Sequence, residues 1–216
     1  MKRIIDLRVA GALTLLFAAG GLAWHGQPGI EKKWQYMAPT YESRLLERQV
    51  YIDPAELLDL INDDYIHLII YDVRSERYWN EFRLVDSEHM PLSRMPGERD
   101  RLRGLPDNSV IVVVSNDEVL ATEGWKRLMV IARPNAYILE GGLNHWLNIY
   151  GAPADEVDAH GKASLGRPDG TLRHRFKLAL GDRHAASRPD EHFAPDREYT
   201  SRVRLLKKIA KAGGCD

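Results

Sequence analysis

The chain reads as an α/β domain built on a parallel sheet flanked by helices, with an apolar N-terminal helix before it and a polar C-terminal tail after it. Three observations predict this. His67–Tyr71, Val110–Val114 and Ala136–Leu139 are short, nearly continuous apolar runs, the pattern of strands buried on both faces. Helical patterns separate them: Leu120, Trp125, Leu128, Met129 and Ile131 recur at helical spacing between the second and third runs. Breaker residues mark the joints, with Arg133-Pro134-Asn135 before the third run and Gly141-Gly142 after it. Strands alternating with helices imply a parallel sheet covered on both sides.

The remaining elements follow in order. Val50-Tyr51-Ile52 reads as a short strand, and Asp53-Pro54-Ala55-Glu56 as a helix start. Asp53 suits the cap, Pro54 the first helical position, and Glu56 the return half of a capping box. Leu57, Leu58, Leu60 and Ile61 give that helix its apolar face. Leu143–Tyr150 predicts a short closing helix, and Trp125 and Trp146 are core candidates. The domain so outlined spans residues 50–153. Residues 27–49 read as a polar linker containing a short helix from Tyr41 to Arg48. Residues 154–216 form a charged tail without a second core, in which Leu172–Leu180 suggests a strand and Arg202–Lys211 a short basic helix. That helix suits an anionic membrane, an acidic partner or its own domain.

The bulk numbers exclude several functions. A chain of 216 residues with net charge -1 lacks the basic excess of a nucleic-acid binder. The single cysteine, Cys215, rules out an intramolecular disulfide and a C-x-x-C site. His160, His174, His184 and His192 lack metal-ligand spacing, so no metal and no cofactor is expected. In residues 1–26, Lys2, Arg3 and Arg8 precede an uncharged apolar stretch from Val9 to Trp24. Its helical length of about 24 Å is short against a hydrocarbon core of about 30 Å. The segment reads as a retained anchor, a cleaved signal or a buried soluble helix, and either of the first two places the domain outside the cytoplasm, on the periplasmic side in a bacterium.

Three motifs in order carry a family resemblance. Asp72-Val73-Arg74 follows a buried strand; His89 and Pro91 sit in Glu88-His89-Met90-Pro91; and Glu140-Gly141-Gly142 precedes Trp146. Together they resemble the rhodanese-like domain family, whose Asp-x-Arg, Gly-His-Ile-Pro and Leu-Glu-Gly-Gly-x-x-x-Trp segments they match, with Glu88 departing. The resemblance implies an active-site loop after the strand ending at Val114. In active members that loop begins with a cysteine, whose thiolate takes sulfur from a donor such as thiosulfate and holds it as a persulfide.

Here the loop reads Ser115-Asn116-Asp117-Glu118-Val119-Leu120. Serine replaces the cysteine, Glu118 a glycine, and Leu120 an arginine. A serine hydroxyl forms no stable persulfide and is a poor nucleophile without a base. Asp117 and Glu118 place negative charge where an anionic donor would sit. Ser115 is therefore expected to cap the next helix, and His89 to make a structural hydrogen bond. The expected function is a membrane-tethered, catalytically inactive binding module with a protein partner. The alternative is a sulfurtransferase or sulfur relay with Cys215 as persulfide carrier, activated by Lys207, Lys208 and Lys211.

Overall fold

The computed structural model describes residues 28–151, 170–176, 178–192, 194–195 and 197–205, with residues 9, 11–17 and 20 near the N-terminus. Five parallel strands form one sheet: β1 (Tyr51–Ile52), β2 (His67–Asp72), β3 (Ser87–His89), β4 (Ser109–Val114) and β5 (Ala136–Leu139), in the order β1-β5-β4-β2-β3. Within residues 28–151 six α-helices accompany it: α1 (Ile30–Leu46), α2 (Pro54–Asn62), α3 (Glu76–Glu81), α4 (Arg99–Arg103), α5 (Val119–Ile131) and α6 (Gly142–Tyr150). Strand β4 is central and every residue in it is buried.

Side chains alternate across a strand, so β4 feeds two apolar layers. Ile111 and Val113 point to the layer holding Tyr71, Ile138, Trp125, Leu128 and Met129. Val110, Val112 and Val114 point to the layer holding Ile52, Leu57, Leu139, Leu143 and Trp146. Both tryptophans are fully buried, as predicted, and each indole N–H finds a carbonyl: Trp125 donates to Ala136 and Trp146 to Ala186.

Both flanks differ from the sequence reading. Most of the segment read as a linker is a packed helix: α1 runs for 17 residues through Pro39 and packs on α5. Ile30, Trp34, Met37, Ala38, Tyr41 and Leu45 form a stripe on the first core layer. Trp34 and Tyr41 meet the Trp125 ring edge-on, at 6.3 and 6.0 Å between centroids. The stripe has helical spacing, but polar neighbours and Pro39 mask it in the sequence. Strand β3 was not anticipated as a strand, because Ser-Glu-His at a sheet edge has no apolar pattern.

The described part of the tail is no free appendage. Leu172, Phe176, Ala186, Ala194, Val203 and Leu205 join the second core layer, and Phe176 stacks on Phe82 at 5.4 Å. No strand forms within the described residues of 172–180; an isolated bridge to Phe82 is made by Gly181, just beyond them. Arg202 to Leu205 are not helical, and the rest of that predicted helix lies outside the described residues. Near the N-terminus, Val9 and residues 11–17 are helical, with Leu15, Leu16 and Phe17 exposed. No helix among the described residues is long and apolar enough to cross a membrane, and residues 10, 18–19 and 21–24 of the predicted apolar segment lie outside the described set.

Glu56 explains how the tail is held. Asp53 caps α2 as predicted, accepting from the Ala55 amide at 2.8 Å. The expected capping-box return does not form, because Glu56 turns the other way. It is 3% exposed, and its Oε1 accepts from the Ser201 hydroxyl and the Arg202 and Val203 amides at 2.8–2.9 Å. Arg197 adds an ion pair to Asp53 at 3.1 Å. Removing an acceptor that serves three donors leaves them unpaired, at about 1–3 kcal/mol for a buried group. Glu56→Ala is therefore expected to lower unfolding free energy by about 2–3 kcal/mol. It should also open residues 200–205 to limited proteolysis before global unfolding, and an unchanged denaturation midpoint would refute the anchoring role.

Candidate functional site

The site is assembled where β2 and β4 end. Asp72 and Arg74 lie within two residues of each other and both are buried, with side-chain exposures of 0% and 1%. The guanidinium straddles the carboxylate, with Nε 2.9 and 3.0 Å from its two oxygens and Nη2 at 2.6 Å. Arg74 Nη2 also donates to the Phe82 carbonyl, and Nη1 donates to Asn116 Oδ1 at 3.1 Å. The pair thus ties β2 directly to the loop after β4.

The second motif braces the first. His89 Nε2 lies 2.9 Å from the Arg74 carbonyl, and its ring stacks on Trp79. The Met90 amide donates to the Asp72 carbonyl, and the Pro91 carbonyl accepts from the Arg94 amide in the turn that follows. Glu88, where the family pattern has glycine, faces solvent and pairs with Arg101 at 2.5–2.7 Å. The Arg101 hydrogen bonds hold its carboxyl below the usual carboxylate range.

The third motif closes on the loop from above. Gly141 and Gly142 have φ of +68° and +63°, and a Cβ on Gly142 would lie 2.6 Å from the Ser115 and Asp117 carbonyls. Only glycine tolerates both the backbone and the contact. The approach lets the Leu143 amide donate to the Ser115 carbonyl and the Asn144 amide to that of Asn116.

Ser115, Asn116 and Asp117 are buried at 1, 2 and 7% exposure, whereas Val119 and Leu120 face outward at 58 and 37%. The Ser115 hydroxyl donates to the Asp117 carbonyl and accepts from the Ala121 amide at 3.0 Å, capping α5 as predicted. Asp117 Oδ1 takes the Val119 amide at 2.9 Å and Oδ2 the Gly170 amide at 2.7 Å. Glu118 Oε1 takes the Gly141 amide at 2.7 Å. The loop's own oxygens thus occupy two amides in the first turn of α5 and the Gly141 amide at the start of α6, the kind of donor an anion needs. The Ser115 hydroxyl gives its proton to a carbonyl oxygen, not to a base.

Two parts of this arrangement were not anticipated. Arg48, just before β1, bridges Glu118 at 2.6 Å and Glu140 at 2.9 Å, and its guanidinium lies over the Tyr51 ring. The tail also crosses the loop: Asn116 Nδ2 donates to the Gly170 carbonyl, Asn144 Nδ2 to that of Thr171, and the Arg173 amide to Asn144 Oδ1. These partners come from 27 to 92 residues away in sequence, and no local pattern encodes them. Among the described residues no cluster of His, Cys, Asp and Glu could hold a metal ion. Cys215, Lys207, Lys208, Lys211 and His160 lie outside the described residues.

Removing Arg74 would strand a buried carboxylate, which costs about 3–5 kcal/mol. Arg74→Leu is thus expected to destabilise the chain by that amount, read from denaturant unfolding, and a change below 1 kcal/mol would contradict it. The exposed Glu88–Arg101 pair behaves differently. With the folded carboxyl depressed, its contribution is present above the ordinary value of 4.5 and is lost as pH falls through the lower folded value. Glu88→Gln should flatten the acid limb of a stability–pH curve and leave its neutral region nearly unchanged; an identical acid limb would refute the coupling.

The family model described as Rhodanese-like domain matches residues 53–149. No curated protein matches the chain. Among solved structures, a protein from Bacillus halodurans aligns at 20% identity and TM-score 0.41, covering 51% of this chain and 80% of that one. A rhodanese-like domain protein from Staphylococcus aureus aligns at 21% and 0.36, covering 44% and 89%. A single-domain sulfurtransferase from Saccharomyces cerevisiae aligns at 15% and 0.40, covering 48% and 92%. The family model places a rhodanese-like domain at residues 53–149, a domain family that includes sulfurtransferases.

Proposed function

We propose that this chain is a rhodanese-like binding module that does not run the family's sulfur transfer. One observation carries the reading: the loop is filled by its own side chains. Ser115, Asp117 and Glu118 occupy the Ala121, Val119 and Gly141 amides, and the segment at Gly170 lies across Asn116 and Asp117. A thiosulfate dianion entering here would displace two carboxylates, and Arg48, the cation beside them among the described residues, is already held by Glu118 and Glu140. Val119 and Leu120 project beside this closed loop and supply an apolar recognition surface for a protein partner.

The module is tethered to a membrane through Val9 to Trp24, with the domain on the extracytoplasmic side. The support is the apolar composition, the preceding Lys2, Arg3 and Arg8, and the exposure of Leu15, Leu16 and Phe17 among the described residues. Lipid is the solvent such a face suits.

Thiosulfate-to-cyanide sulfur transfer by the full chain in an uncharged detergent tests the proposal. The wild type is expected to show no turnover. Ser115→Cys is also expected to show none, because Asp117 and Glu118 still fill the cradle. Turnover by the wild type, or by Ser115→Cys alone, would sink the reading. Mass spectrometry after thiosulfate exposure separates the sulfur-relay alternative, which requires one added sulfur on Cys215.

A further inference from the structure

The parallel sheet has two ends. Ser115 lies where β4 finishes, while the opposite end is marked by the close of α5 at Ile131 and the start of β5 at Ala136. At that opposite end a cleft of about 680 Å³ opens between α1, the α5–β5 turn and the tail segment 200–205. Its volume falls within the range of small-molecule sites, about 300–1,000 Å³. Arg44 enters from α1, Arg133 from the turn, and Arg202 and Arg204 from the tail; no Asp or Glu lines it among the described residues. None of the four guanidinium groups is in an ion pair among the described residues. The chain as a whole carries 30 basic and 31 acidic residues, so this is a local segregation of charge.

The walls are fixed by contacts that do not use the guanidinium groups. The Arg204 amide donates to the Tyr137 hydroxyl, and its carbonyl accepts from Asn135 Nδ2, both at 3.0 Å. The Arg202 amide is held by buried Glu56. Arg133 sits at φ +55° after α5, its amide bonded to the Leu128 carbonyl. A neighbouring cleft of about 560 Å³ shares Arg133 and adds Lys33, Arg99 and Arg103, again without a carboxylate among its described lining. Arginines gathered around one cleft without a carboxylate among its described lining repel one another, and guanidinium forks match the oxygens of a phosphate group.

We propose that this cleft, remote from the Ser115 loop, binds a phosphate-bearing ligand through Arg44, Arg133, Arg202 and Arg204. The proposal does not depend on whether the loop is catalytic. It is tested by titrating the full chain, in an uncharged detergent, with pyrophosphate and measuring heat of binding. Saturable binding is expected, weaker at higher salt, and reduced by about tenfold or more in Arg202→Gln/Arg204→Gln. Those side chains are exposed, so that variant should keep the wild-type melting temperature without ligand; Arg133→Gln, on another element, serves if it does not. Vesicles of phosphatidylcholine with and without phosphatidic acid distinguish a lipid phosphate from a free one. Binding to either source that these variants lose supports the site. No saturable binding to either, or equal binding by the variants, overturns it.

Discussion

A buried ion pair organises this domain. Asp72 and Arg74 are both shut off from water at the end of β2, where each needs the other: an unpaired charge at that depth costs several kcal/mol. Satisfying the guanidinium recruits the Phe82 carbonyl and Asn116, and bracing its backbone recruits His89. Residues distant in sequence are thereby brought to one end of the sheet. The geometry needs a rigid frame, which the fully buried β4 and its two apolar layers provide.

On that frame the loop after β4 takes a closed form. In a sulfur-transferring member of the family, loop amides and the following helix N-terminus are the assets that stabilise a negatively charged sulfur. In this chain amides of the same region meet a serine hydroxyl and two carboxylates instead. Arg48 neutralises Glu118 from outside, and the tail lays Gly170 across Asn116 and Asp117. A loop stabilised in this way commits these amides to internal hydrogen bonds. What it still presents is shape, with Val119 and Leu120 outward.

Much of this was legible in the sequence because it is local. The three apolar runs became β2, β4 and β5, Asp53-Pro54 opened α2, and Trp125 and Trp146 became core. The capping role of Ser115 was legible too, since it depends only on six residues of spacing to Ala121. What escaped is long-range. Glu56 looked like half of a capping box and instead holds residues 201–203. Residues 27–49 looked like a linker because Pro39 and a polar background hide the stripe that Trp34 and Tyr41 anchor. Arg48 and Gly170 reach the loop only through the tertiary fold, so no pattern of neighbours could have nominated them.

The account rests on the loop amides being committed to the chain's own oxygens, and that commitment is directly observable. Amide chemical shifts of the full chain, followed by NMR as thiosulfate is added, report on the Val119, Ala121 and Gly141 N–H groups one by one. The closed loop predicts that these three resonances stay in place up to millimolar donor. A saturable shift of the three together would show that the cradle opens to an anion, and would contradict the account.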